Sequence, residues 1–213
     1  MRHTTSPWGQ PQDVENIAEG IDWISTASHG GYILSPERFA EMPEALRSGL
    51  WAGERAFEED CDWCRVQLAF SEEMLAYERR THGDDAGAKR YLEHNKQAEQ
   101  TLRVWSWRIW EAYFGRELQP GESSGKDHEL FLEAHKEDWL VTCAWGDCFE
   151  FVPAGFVKVK AVKGGRTLDG RIRTEGKFFM VTNSEYENNR PCGEFVIDLA
   201  RHPEIRDPEK AVS

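Results

Sequence analysis

The chain has 213 residues, 39% of them apolar and 30% charged, with a formal net charge of −12 and 9 Trp and 11 Phe. That many aromatics excludes a disordered chain, and no apolar run approaches the roughly 20 residues that cross a bilayer, so no membrane partner is expected. The acidity works against binding nucleic acid or anionic lipid through the whole surface.

Five cysteines, an odd number, argue against a disulfide framework. The basic N-terminus is not followed by an apolar stretch, so no secretory signal is read there and a cytoplasmic protein is expected. The charge is uneven. Residues 1–80 hold 15 acids and 7 bases. Residues 155–182 hold seven bases (Lys158, Lys160, Lys163, Arg166, Arg171, Arg173, Lys177) against Asp169 and Glu175.

Residues 1–20 are polar and rich in turn formers, with Asp13 placed to cap a short helical turn before Gly20. Ile21, Trp23 and Ile24 read as a short strand, and Tyr32-Ile33-Leu34 as a second. The Gly30-Gly31 pair between them signals a hairpin or bulge turn. Ser35-Pro36-Glu37-Arg38 is a helix start, with Ser at the N-cap and Pro at N1. Pro43 and Gly49 keep that helix short.

Residues 56–79 read as a helix whose first turns carry Glu58, Glu59, Asp60 and Asp62, where the dipole favours negative charge. The chain loosens over 81–88. A helix follows over 88–114, with Leu92, Leu102, Trp105, Ile109, Tyr113 and Phe114 on its buried side and Gly115 as C-cap. Pro120-Gly121 is a turn signal, and residues 126–136 form another helix. From there the period changes. Residues 139–145, 155–162, 177–182 and 194–198 read as strands, and the tail from 203 is polar. The fold class is α+β: a small N-terminal β element, a helical middle and a C-terminal antiparallel sheet. It reads as a single domain over 1–205, with 120–137 as the place where it would subdivide and 206–213 as a loose tail.

Several blocks carry a family resemblance. They are Ser6-Pro7-Trp8-Gly9, Thr26-Ala27-Ser28-His29-Gly30-Gly31, Phe57-Glu58-Glu59-Asp60-Cys61-Asp62-Trp63 and Gln119-Pro120-Gly121-Glu122-Ser123. Asp138-Trp139 through Trp145-Gly146-Asp147 and Phe195-Val196-Ile197-Asp198 complete the set. Together they resemble an uncharacterised domain-of-unknown-function family of phages, plasmids and integrated elements, over about residues 6–204. The resemblance implies a mobile-element setting and assigns no catalytic residue.

The most site-like stretch is Ile24 to Phe39, which sets a hydroxyl run, one histidine and a glycine pair between an apolar segment and a helix start. His29 there is a candidate general base or metal ligand, with Ser28, Gly30 and Gly31 as binding residues whose backbone N–H groups can approach an anion. The bland alternative is a structural loop in which the hydroxyls bond the backbone. Glu58 and Asp62, four apart, would share one helix face. With Glu59 and His29 they would make an oxygen-rich catalytic site with one nitrogen, suited to a divalent metal such as Mg, Mn or Fe. Cys61 and Cys64 have Cys-x-x-Cys spacing, but the flanking acids raise rather than lower a thiol pKa. Trp105, Trp107 and Trp110, interleaved with Arg103 and Arg108, are candidates to stack bases or clamp a partner, and Trp107, off the helical stripe, is the binding residue expected to be exposed. Lys158, Lys160 and Arg166 offer a basic face for nucleic acid across 158–177, against the commoner reading of a lysine-decorated strand edge. No P-loop, dinucleotide fingerprint, nucleophile elbow or His-Glu-x-x-His is present.

The leading functional expectation is an accessory protein of a phage or other mobile element. It would bind a host or viral protein, with inhibition of a host defence system as one such role. The alternative is a metal-assisted hydrolase or nucleic-acid-processing enzyme using His29 and the 58–62 carboxylates. The two separate on one spatial question, whether His29 and those carboxylates meet.

Overall fold

A computed structural model describes residues 4–167, 170–172 and 175–206. Asp169 and Arg173 of the basic stretch, and residues 207–213 of the tail, lie outside the described residues. The chain forms two compact units, Met1–Gly125 and Lys126–Ser213. Among the described residues, no helix is long and apolar enough to cross a membrane.

The first unit opens with strands β1 (Asp13–Ala18), β2 (Ile21–Ser25) and β3 (Gly30–Leu34), followed by two short helices, α1 (Pro36–Glu41) and α2 (Glu44–Arg47). Strand β4 (Ala56–Glu58) completes an antiparallel sheet of order β1-β2-β3-β4. Helices α3 (Trp63–Ala69), α4 (Ser71–His82), α5 (Asp84–Trp105) and α6 (Trp107–Phe114) follow. Glu15 pairs with Trp23, Trp23 with Tyr32 and Tyr32 with Phe57. Residues directly opposite across antiparallel strands share a face, so these four form one row. Tyr32 and Phe57 join the core with Leu34, Val66, Met74, Leu102 and Trp110.

Local signals lost to tertiary pairing in several places. Asp13 does not cap a helical turn; it opens β1, because Val14, Glu15 and Asn16 find ladder partners in Ile24, Trp23 and Asp22. Residues 56–79 are not one helix. Phe57, fully buried, pairs with β3, and the Glu58 carboxylate accepts from the amides of Asp60 (2.7 Å) and Cys61 (3.2 Å), holding a turn that delays the helix to Trp63. Phe70, at φ −120° and ψ 49°, then separates α3 from α4.

The loosening over 81–88 shrinks to Gly83, at φ +85°. Gly87 lies inside α5, where a Cβ would stand 2.4 Å from the Glu78 carbonyl oxygen, so the residue sets how closely α4 and α5 cross. Ser106 breaks the expected 88–114 helix between α5 and α6. Trp105 is 73% exposed rather than core, and Leu92 and Phe114 are exposed as well. Ser35 accepts from the Arg38 amide at 3.2 Å, and Gly115 takes the left-handed C-cap, as the sequence indicates.

Helix α7 (Ser124–Ala134) spans the boundary, and the second unit goes on with β5 (Trp139–Trp145), β6 (Phe156–Lys163) and β7 (Lys177–Thr182), helix α8 (Asn183–Asn188) and β8 (Glu204–Ile205). The sheet is antiparallel, of order β5-β6-β7-β8, over a core of Val157, Val159, Phe179, Val181, Phe195 and Ile197. Residues 194–198 make no named strand. They run beside β5, where the Val141 amide donates to Phe195 and the Ile197 amide to Trp139. A small sheet, a helical middle and a second antiparallel sheet make the chain α+β.

Candidate metal centre and adjoining cleft

The turn between β2 and β3 is built by Thr26. Its amide donates to the His29 carbonyl at 2.8 Å, its hydroxyl donates to the same oxygen at 2.6 Å, and that hydroxyl accepts from the His29 amide at 3.2 Å. The backbone of His29 is thereby fixed, and its imidazole Nδ1 lies 3.8 Å from Glu58 Oε1. Glu58 is only 4% exposed. Its second oxygen holds the turn amides and receives the Cys61 thiol at 3.6 Å, so the carboxylate is oriented before any ligand arrives. The Glu59 amide donates to Gly30 at 3.0 Å, which ties the next carboxylate to the same hairpin. One ligand atom each from His29, Glu58 and Glu59 lie within 4.8 Å of one another. One nitrogen and two carboxylate oxygens converge there, a donor set suited to a divalent cation.

Gly30 and Gly31 are buried in β3 rather than offered to solvent. A Cβ on Gly30 would stand 2.6 Å from the Ile24 carbonyl oxygen and 2.9 Å from Glu59 Oε2. On Gly31, at φ +148°, it would stand 2.1 Å from the Phe57 carbonyl oxygen. The pair lets β4 and Glu59 approach the hairpin. Ser28 is exposed at the turn.

Asp62 does not join this group. It is 2% exposed, pairs with Arg65 at 3.0 Å and accepts from the Trp51 amide at 3.1 Å. Burial pushes its carboxyl pKa up, with Arg65 and the Trp51 amide opposing. Since Glu58 ends a strand and Asp62 precedes a helix, the two share no helix face. Burial also raises the Cys61 thiol to about 11, helped by Asp62 and Glu58, and Cys64 to about 12. Thiols held that high are poor nucleophiles at neutral pH.

Glu59 also lines a cleft of about 400 Å³ between the sheet and helices α3, α4 and α5. Its walls are aromatic and apolar: Trp23 meets Tyr32 edge to face at 4.7 Å, with Trp63, Met74 and Tyr77 nearby. The Tyr77 hydroxyl donates to Glu15, and burial followed by that bond raises its pKa to about 12. Farther along the cleft stands Glu78. Its Oε1 meets His94 Nδ1 at 2.9 Å, and its Oε2 meets Arg90 Nε at 3.1 Å and His82 Nε2 at 3.5 Å. Sequence reasoning missed this cluster, although its signal was there. Glu78 and His82 are four apart, as are Arg90 and His94, and two such pairs on consecutive helices face each other when the helices form a hairpin.

The remaining candidates lie elsewhere. Trp107 is half-buried against the core with Arg108 at 4.0 Å over its ring, so the exposed tryptophans are Trp51 and Trp105. Lys158 is 4% exposed, its ammonium 4.5 Å from the Phe178 ring, 5.0 Å from Phe151 and 5.2 Å from Trp145. Lys160 lies 5.8 Å from the Phe178 ring, and Lys177 pairs with Glu204 at 2.7 Å. Arg166 donates to the carbonyls of Gly170 and Thr142, both at 3.3 Å. Much of the 158–177 charge is therefore engaged within the protein.

No curated protein and no solved structure matches the chain. A family model described as a domain of unknown function, DUF7007, matches residues 1–136, which take in the hairpin, the three converging ligands and the whole cleft. The chain belongs to this family.

Proposed function

We propose that the first unit is a divalent-cation-dependent hydrolytic domain, with His29, Glu58 and Glu59 holding the cation. The convergence of those three ligand atoms within 4.8 Å carries the reading. Support comes from the fixed Glu58 carboxylate and from the cleft that begins at Glu59. A cation bound there would supply an activated water and Lewis-acid polarisation of a carbonyl or phosphoryl group. The protein's own part is to fix the ligands and shape the cleft. Free, unpaired cysteines fit the cytoplasmic setting that this reading assumes.

Metal analysis and Mn²⁺ or Zn²⁺ titration of the purified protein test it. One equivalent should bind, and His29→Ala and Glu59→Gln should each weaken binding about tenfold or more, the range seen when support for a metal ligand is lost. Equal affinity in wild type and both variants would end the proposal.

A second reading, protein binding by an accessory factor of a phage or other mobile element, draws on the exposed Trp51 and Trp105, 71% and 73% accessible. Large exposed indoles are typical interface anchors. Anti-defence activity in a host cell that survives His29→Ala but is lost in Trp51→Ala or Trp105→Ala would favour it over the metal reading.

A further inference from the structure

The geometry points to the cleft as a binding site for a nucleoside monophosphate, a planar ring joined through a sugar to an anionic arm. This goes beyond the cation site, since it rests on other residues. Three observations carry it.

The first is a buried polar group without a partner. Gln67, 3% exposed, lines the cleft, and its amide nitrogen has no hydrogen-bond partner. A buried amide left unsatisfied is costly, and such groups call for a ligand or a water. A carboxamide among rings is also suited to reading the edge of a base, as Gln does in base recognition.

The second is the wall. Trp23, Tyr32, Trp63 and Tyr77 give ring faces and edges on which a planar heterocycle stacks, whatever its identity. The third is the charge at the far end. Glu78 is answered by Arg90, His82 and His94 together. Arg90 spends only Nε on Glu78, and each imidazole spends one nitrogen. The outer fork of the guanidinium remains for a ligand, and such forks match phosphate oxygens, while the second nitrogen of each ring donates to an anion only when the imidazole is protonated.

The spacing favours a nucleotide over a small aromatic acid. Arg90 and Gln97 both line the cleft and lie seven residues apart on α5, about 10 Å at about 1.5 Å per residue. A ring with a carboxylate attached directly is too short to run that length of the cleft. A ring carried on a sugar phosphate spans both. The volume of about 400 Å³ lies within the range for small-molecule pockets.

Tryptophan fluorescence of the full chain, titrated with nucleoside 5′-monophosphates in the presence of EDTA, tests the proposal. Trp23 and Trp63 line the cleft, so binding should quench emission saturably. The parent nucleosides and inorganic phosphate, which each lack one half of the recognition, and benzoate, which lacks the span between ring and anion, should each bind at least about tenfold more weakly. Arg90→Gln should weaken the nucleotide about tenfold, in line with loss of a hydrogen bond to a charged group. Gln67→Leu, nearly isosteric, should weaken it several-fold without lowering the unfolding midpoint, and Arg90→Lys, which keeps the charge, should bind at an intermediate level. His29→Ala should leave nucleotide affinity within about twofold, so failure of the cation site and failure of the cleft give different results. No saturable quench at millimolar nucleotide, tighter binding of benzoate, or unchanged affinity in folded Arg90→Gln and Gln67→Leu would each overturn the proposal.

Discussion

The buried carboxylates of the first unit and the buried Lys158 ammonium of the second have different surroundings. The first buries the carboxylates of Glu58, Asp62 and Glu78. Each is met by amides, a guanidinium or imidazoles: Glu58 by the turn amides, Asp62 by Arg65, and Glu78 by Arg90, His82 and His94. The second buries the Lys158 ammonium among three aromatic rings. Partners of the first kind carry further donors. An arginine that spends one nitrogen on a carboxylate still has others to give. A ring face that attracts an ammonium has nothing further to offer a polar ligand. The candidate sites accordingly lie around the buried acids of the first unit, and the rings about Lys158 pack its ammonium in the second.

Breaking the best-enclosed pair should produce the largest effect. Arg65 is 2% exposed, pairs with Asp62, donates to the Ser48 carbonyl and lies 3.5 Å from the Ser106 hydroxyl. Arg65→Ala leaves the Asp62 charge buried and unanswered, at a cost of about 3–5 kcal/mol in denaturant unfolding. Loss below about 1 kcal/mol would mean that the pair is not sealed from water. Next comes Gly87→Ala, whose new methyl would meet the Glu78 carbonyl oxygen at 2.4 Å. Forcing α4 and α5 apart should cost about 1–3 kcal/mol and pull Arg90 and His94 away from Glu78. Stability and nucleotide binding should fall together in this variant, and unchanged binding would detach the cleft from the hairpin that builds it.

How much of this was legible depended on how far apart the deciding residues are. Ser35-Pro36 and Gly115 were readable because a cap is settled within one turn, and β5 and β7 because their apolar runs are bounded by turns. The stretch from Ala56 was misread as helix because the residue that makes it a strand is Tyr32 on β3, with no trace in the local pattern. Within the candidate site, His29, Glu58 and Glu59 stood out as residue types in suggestive loops, and the strand pairing of Gly31 with Glu58 brings them together. Asp62 had the same local signal and went to Arg65 instead. The Glu78 cluster needed the α4–α5 crossing, set by Gly87, which local reading places in a loop. Lys158 looked like an ordinary alternating strand cation because the rings over it come from three other segments.

The comparison sharpens with Lys158→Met, which keeps the stem and removes the ammonium. The cation–π attraction is worth about 0.5–2 kcal/mol and is offset by release from desolvation. Stability should stay within about 1 kcal/mol of wild type by thermal and denaturant unfolding. A loss of 3 kcal/mol or more would put the ammonium in a hydrogen-bonded role like that of Arg65 and erase the contrast between the units.

The smallest effects lie in one exposed loop latch per unit, and acid separates them from the buried groups. Arg116 grips Glu122 with two bonds, at 2.8 and 3.0 Å, and the Gln119 amide adds a third at 2.7 Å. Together, Arg116 first, these hold the Glu122 carboxyl at about 2, below its ordinary 4.5. In the second unit the Gly155 amide, then Asn183, lower the Asp147 carboxyl. A carboxyl depressed in the folded state stabilises the fold above its unfolded value, and that contribution is lost as pH falls through the folded value. Glu122→Gln should therefore be slightly less stable than wild type at pH 7, with the gap closing between about pH 4.5 and 2. Asp147→Asn should close its own gap below its ordinary value in the same direction. Both gaps should shrink in high salt, because exposed pairs are screened, whereas the Arg65→Ala loss should persist. A Glu122 gap that widened toward low pH would reverse the sign required by its depressed carboxyl and remove it as a latch.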